Sequence, residues 1–378
     1  MYQNTTGRIR SLQMEQAIDQ AREKKRLLAG CMYFFLVNGA LVLMTSSLLV
    51  FLMQDYHLSY DQGGLLLTTQ AVGSITTSFL SGPLSIWIGR KRTLLLAAFG
   101  FCISFLLITL MPPLPILLLA LFLSGLAWGI SNNLVNFLVV RATDGNSSQI
   151  SRVHTVFSIG GFLAPLLVAL AVRLDLSWRW PAAVIAVLSL GLIVYTRFMP
   201  VPESKKRTGD KKPVSLTFLK KWRLYLFMTM LFLYVGIEVG FSGWLVTYLT
   251  TWRNLEASLA QTLLSTLWIA MIVGRIITSI FGQYYRKDRF LLLEAIGISA
   301  SALLLILAIQ PGWLVVAVVL LGLSMSAFYG MVVANASWLV AESTIASGLL
   351  MSLGGLGASL MPLIAGIYAD SSGIAAGL

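Results

Sequence analysis

Glu238 stands in the stretch Tyr234–Leu249, YVGIEVGFSGWLVTYL, near the middle of an apolar run from about Leu224 to Leu249. Ionising a carboxyl in such a run costs several kcal/mol, so it is expected to face a cavity or a partner. There it can carry a proton or bind a polar solute; the plain alternative is a neutral carboxyl bonded between helices. Arg275 is a second costly charge, and its long stem could either snorkel to the bilayer edge or serve a gate or a solute. Glu294 is expected to pair near the basic loop Arg286–Arg289, RKDR. Trp128, Asn132 and Asn136 fall on successive turns and share one helix face. Amides bond hydroxyls and an indole covers the apolar side of a pyranose, which is chemistry suited to a sugar. Asn38, Gln70, Trp244, Tyr329 and Asn335 add polar or aromatic groups in other runs, and His154 adds an imidazole. Taken singly, each asparagine reads first as hydrogen-bonded packing between helices and His154 as a structural histidine; it is their clustering across spans expected to line a central cavity that supports a binding role. The sequence carries no catalytic triad, phosphate-binding glycine loop or cluster of metal-binding side chains, so an enzyme, an ATP-driven pump or a resident cofactor or metal finds no support.

The elements that must position these groups are membrane spans. The 378 residues are 57% hydrophobic and 11% charged, against about 25% charged in soluble domains. Runs of about 20 apolar residues, the length of a bilayer crossing, recur throughout. Eleven spans are predicted, near 27–53, 60–88, 93–111, 114–140, 148–172, 179–199, 224–249, 256–284, 290–309, 312–340 and 345–369. The polar start 1–26 reads as a cytoplasmic tail, expected as a short helix lying along the membrane. Residues 200–223 form a basic linker between a first half, 27–199, and a second, 224–378. With the N-terminus inside, 23 of the 27 Lys and Arg residues fall on the inner side, the positive-inside pattern of a multi-pass inner-membrane protein. The net charge of +12 therefore speaks for anionic lipid contact and against nucleic acid. Cys31 and Cys102 lie in spans and imply no disulfide.

The halves echo each other. The segments beginning at Ser124 and Leu321 match at an offset of 197, as do Pro165 and Pro362, while VGSITTSFLSG and VGRIITSIFG match near 200. The expected fold is an all-α membrane protein of two six-helix halves in pseudo-symmetric arrangement. On that offset a twelfth span is expected beyond Leu378. Gly236, Gly240, Gly243 and Thr247 are expected to form a packing seam on the seventh span.

The segment Gly82–Arg92, GPLSIWIGRKR, resembles the loop signature of the major facilitator superfamily, with Gly82, Arg90, Lys91 and Arg92 at matching places. Ile86 and Trp87 stand where the family has an acidic and a basic residue. Gly82 is expected to let its helix pass close to a neighbour. The span around Glu238 and the segment HTVFSIGGFLAPLL from His154 resemble the fucose–galactose–glucose symporter group. The resemblance implies alternating-access transport by a monomer, with protons as a coupling ion. Asn38, Asn132, Asn133 and Asn136 replace the acids that proton-coupled members of the group carry in helices 1 and 4, which leaves Glu238 as the coupling candidate. Efflux of amphipathic compounds and a non-transporting receptor or assembly factor remain open.

Overall fold

The computed structural model describes residues 2–143, 147–202, 217–281, 287–342 and 344–377. The first half comprises α1 (Tyr2–Asp55), α2 (Tyr60–Trp87), α3 (Arg90–Thr109), α4 (Leu114–Ala142), α5 (Ser147–Arg173) and α6 (Arg179–Phe198). The second comprises α7 (Trp222–Thr247), which runs into a π-helical turn Tyr248–Trp252, then α8 (Ala257–Phe281), α9 (Lys287–Leu307), α10 (Pro311–Met325), α11 (Phe328–Glu342), α12 (Thr344–Ser372) and a short α13 (Ile374–Gly377). Among the described residues, ten segments are long and apolar enough to cross a membrane. Helix α2 is not among these ten; its row of Thr and Ser residues lowers its hydropathy, yet it spans the bundle between α4 and α12.

Two features depart from the expected elements. Residues 1–26 are expected as a tail beside the membrane, whereas helix α1 starts at Tyr2 and continues unbroken into the first span. The expected tenth span, 312–340, is two helices with a break at Ser326 and Ala327. Its sequence there, Gly322–Gly330 as GLSMSAFYG, holds two glycines and two serines, a combination that favours kinks.

The packing obeys a two-fold relation between halves. Helix α1 packs on α5 as α7 packs on α12, and α2 packs on α4 as α8 packs on α10. Between halves, α2 meets α12 and α5 meets α8. Glycines set the closest approaches: a Cβ on Gly39 would lie 1.9 Å from the carbonyl oxygen of Phe157, and one on Gly357 would lie 2.0 Å from that of Phe232. Gly39 and Gly236, like Gly160 and Gly357, are 197 residues apart. The offset read from sequence is thus repeated in the contacts themselves. The seam on α7 is partial: Gly236 and Gly243 abut Met361 and Leu67, while Gly240 faces open space.

The α2–α3 loop corrects another expectation. Among the described residues nothing lies within 4 Å of a would-be Cβ on Gly82, so no close approach there depends on it. The glycine this motif requires is Gly89, whose φ of 92° lies where side chains with a Cβ are strained. Arg90 donates to the Pro202 carbonyl oxygen at 3.0 Å and sits 4.7 Å over the Phe137 ring. Lys91 is half-buried and Arg92 exposed, beside an exposed Ile86 and Trp87.

Candidate functional site

Helix α7 places Tyr234 and Glu238 one turn apart on the same face. Tyr234 is buried; its hydroxyl donates to the Met325 carbonyl oxygen at 2.6 Å, and its ring stacks on Phe328 with centroids 5.0 Å apart. Glu238 keeps 17% of its side chain exposed, and its Oε1 lies 3.9 Å from Arg275 Nη2. Arg275, from α8, does not snorkel to the bilayer edge. Its Nε donates to the Ser326 carbonyl oxygen at 3.1 Å, and its Nη1 donates to Ser158 Oγ at 2.7 Å, across to the first half. With the arginine side chain 39% exposed and the carboxylate at the outer limit of contact, the ion pair is the weak element. The two hydrogen bonds, about 1.5–3 kcal/mol each for a charged donor, outweigh it.

Glu294 also corrects an expectation. Among the described residues it makes no pair with the 286–289 loop; it is buried with Oε1 accepting from the Ala327 N–H at 3.0 Å, while Oε2 has no hydrogen-bond partner among those residues. Residues 282–286 lie outside those described. The cause is the helix break, which frees an amide that a nearby carboxylate can satisfy.

Several predicted residues keep surface, and Tyr329 and His154 do so beside this cluster. Tyr329 is exposed and within electrostatic reach of Glu238, and open space surrounds Gly240 and Gly330. His154 is exposed, packs on Phe35 with ring centroids 4.9 Å apart, and lies within electrostatic reach of Arg275. Trp128, Asn132 and Asn136 are half-buried on α4. The Asn136 amide donates to the Asn132 carbonyl oxygen at 2.8 Å, and the buried Trp128 Nε1 has no partner among the described residues. Asn335, half-buried on α11, donates to the Met331 carbonyl oxygen at 2.9 Å within its own helix.

Three predicted residues are committed elsewhere. Asn38 is fully buried, with Oδ1 accepting from Ser131 at 2.8 Å. Gln70 donates to Thr45 at 3.1 Å and to Ser124 at 3.0 Å, tying α2 to α1 and α4. Trp244 is sealed, its indole donating to the Pro362 carbonyl oxygen at 3.0 Å. Sequence reading missed Ser158, the Ser326–Ala327 peptide and the role of Glu294. Only the Gly and Ser cluster of 322–330 signalled the break.

Among the described residues, several bonds between halves lie toward one end of the bundle, the end of the 56–59 turn. There Tyr60 N–H donates to Asp370 at 3.2 Å, Gln261 to the Ser47 carbonyl oxygen at 2.7 Å, and Arg173 to Ser258 at 2.8 Å. Nearer the middle, Thr68 donates to the Ser359 carbonyl oxygen at 2.7 Å and Ser265 to that of Phe162 at 3.1 Å. Toward the opposite end, His154, Tyr329 and Gly330 are exposed. Among the described residues, the halves are therefore bonded to each other at the end of the 56–59 turn, with Glu238 and Arg275 farther along the bundle and His154, Tyr329 and Gly330 exposed toward the other end.

Known proteins share this build. The chain is 26% identical over 359 residues to the protein TsgA homolog of Yersinia enterocolitica, covering 92% of this chain and 89% of that one. A TsgA homolog of Yersinia pestis is 26% identical over 356 residues, covering 91% of this chain and 88% of that one. Among solved structures, the nucleoside transporter NupG superposes with a TM-score of 0.74 at 16% identity, covering 93% of each chain. A D-xylose–proton symporter does so with a TM-score of 0.71 at 14% identity, covering 90% of each. The sequence profile of the Major Facilitator Superfamily matches residues 28–373, so the chain belongs to that family.

Proposed function

We propose that the protein is a secondary transporter of the inner membrane that moves a small, polar, neutral solute, a sugar or similar hydroxylated compound, by alternating access. The observation that carries this reading is the link from Glu238 through Arg275 to Ser158. A partly exposed carboxyl in one half is joined by one guanidinium to a hydroxyl of the other half. Binding at Glu238, or its protonation, thereby alters a contact that holds the halves together. Glu238 is the coupling group, and Tyr329, Trp128, Asn132, Asn136, His154 and Asn335 supply the surface that meets the solute. Asn38, Gln70 and Trp244 support that surface from behind. With the N-terminus inside, the end opposite the 56–59 turn faces the cytoplasm and is the parted one. The solved neighbours' own solutes, a nucleoside and D-xylose, both bear several hydroxyls, in line with the amide-rich face of α4.

The test is purified protein in proteoliposomes, screened against sugars and nucleosides for thermal shift and then for uptake under an imposed proton gradient. One solute that both raises the melting temperature and accumulates against its gradient is the expected result. Binding without uptake would overturn transport in favour of a receptor; extrusion of amphipathic cations alone would overturn the solute class.

A further inference from the structure

The break in the tenth span turns a single peptide unit, Ser326–Ala327, between two charged side chains. Its carbonyl oxygen accepts from Arg275 Nε at 3.1 Å and its N–H donates to Glu294 Oε1 at 3.0 Å. The preceding carbonyl, that of Met325, takes the Tyr234 hydroxyl. A positive group therefore meets the C-terminal end of α10 and a carboxylate meets the N-terminal end of α11, each the sign its helix end favours. Gly274 and Gly297 flank the break, and a Cβ on either would fall 2.4 Å from the hydroxyl of Ser326 or Ser324. The other half is an internal comparison. In the repeat, Tyr234 and Glu294 correspond at the offset of 197 to Val37 and Ala97, and Arg275, in the matched VGRI and VGSI segments, corresponds to Ser74; none of the three is ionisable, and α4 runs unbroken. Break and clamp occur together, in one half only.

We infer that Glu294 is a proton-binding site, distinct from Glu238, and that its proton decides whether the tenth span stays broken. Ionised, the carboxylate holds the Ala327 amide and complements the end of α11, leaving Oε2 buried without a partner among the described residues. A proton taken from water onto Oε2 discharges the group and weakens its hold on the amide, so that α10 and α11 can rejoin. Through the same peptide, Arg275 is freed to strengthen its contact with Glu238 or to release Ser158. Tyr234 from α7 lies within electrostatic reach of Glu294, Arg275 from α8 shares the Ser326–Ala327 peptide with it, and Tyr329 is the titratable residue near the start of α11, which packs on α9. Glu342 lies at the far end of α11, Lys287, Asp288 and Arg289 lie in the first turn of α9 itself, and α10 carries no titratable side chain. The site is independent of which solute is carried, so its failure and that of the transport reading are separable.

The test needs no solute. Spin labels on Val140→Cys and Gly330→Cys, in a background with Cys31→Ser and Cys102→Ser, report the distance across the parted end in nanodiscs between about pH 5 and 9, the range around neutrality in which perturbed carboxyls titrate. The mean distance should titrate in the parent, and Glu294→Gln should remove the step that Glu294 gives, leaving only the change that Glu238 contributes. Glu294→Asp, which keeps a carboxyl on a shorter stem, should retain the curve with a displaced midpoint and serves if the glutamine variant does not fold. Glu238→Gln, with Glu294 intact, should retain a curve. A parent that does not respond to pH, a Glu294→Gln protein that follows the parent curve, or a Glu238→Gln protein that loses it would each overturn the proposal.

Discussion

Replacing Ser158 with alanine removes one atom, the Oγ that accepts from Arg275 Nη1 at 2.7 Å across the two halves. Ser158 is 1% exposed, so nothing else is expected to fill its place. A hydrogen bond to a charged donor is worth about 1.5–3 kcal/mol. Arg275 is 39% exposed and can regain water, which lowers the net loss to roughly 1–2 kcal/mol. On the alternating-access reading the bond is made only with α5 on α8, so that loss shifts the conformational equilibrium by about 5–30-fold away from this arrangement. Spin-label distances across the 56–59 end measure the shift. A double-mutant cycle with Arg275→Gln should return a coupling of the same size. A coupling within about 0.3 kcal/mol of zero, the range in which independent sites add, would refute the link between the halves.

Other outcomes follow from named contacts. Glu238→Gln should abolish uphill, proton-driven uptake while leaving counterflow exchange partly intact; normal accumulation by this variant would return Glu238 to a packing role. Gly39→Ala sets a Cβ 1.9 Å from the Phe157 carbonyl oxygen; because that atom is backbone, the helices must part, and the melting temperature and folded yield should drop sharply. Gly274→Ala presses on Ser326 Oγ and Cβ, at 2.4 and 2.5 Å, and should shift the pH midpoint of the spin-label distance without removing it. Reporter fusions at Lys206 and Pro113 should read opposite sides of the membrane, the first cytoplasmic.

How much of this was legible in the sequence depended on the range of the forces involved. Span positions follow from hydropathy, a local property, and most of the helices begin and end within a few residues of the expected limits. The repeat was legible because Pro165 and Pro362 and the small residues of α4 and α10 are themselves sequence features. Partners were not legible. Glu294 sits closer in sequence to Arg289 than to Ala327, yet the folded chain gives it an amide from the break between two other helices, since only a broken helix offers an unsatisfied donor. Gly82 and Gly89 look alike in the motif, and only the backbone angle at Gly89 tells which one the turn requires. Asn38 and Asn132 are the same residue type in similar apolar runs, but the first ends sealed against Ser131 and the second stays half-buried on α4; rotation of each helix about its axis decides, and sequence alone fixes that rotation weakly.

Helix α1 carries 54 residues without a break, about 80 Å at 1.5 Å per residue, whereas the hydrocarbon layer is only about 30 Å thick. The residues before the first span therefore form a rod of roughly 37 Å fixed to the first half as a lever is fixed to its axle. If that half rocks by about 10°, the far end of the rod sweeps some 6 Å through the headgroup and solvent layer. The transport cycle thus has an outward mechanical signature at the N-terminus, readable by a dye on that arm, and anything that pins the arm adds drag to the rocking itself.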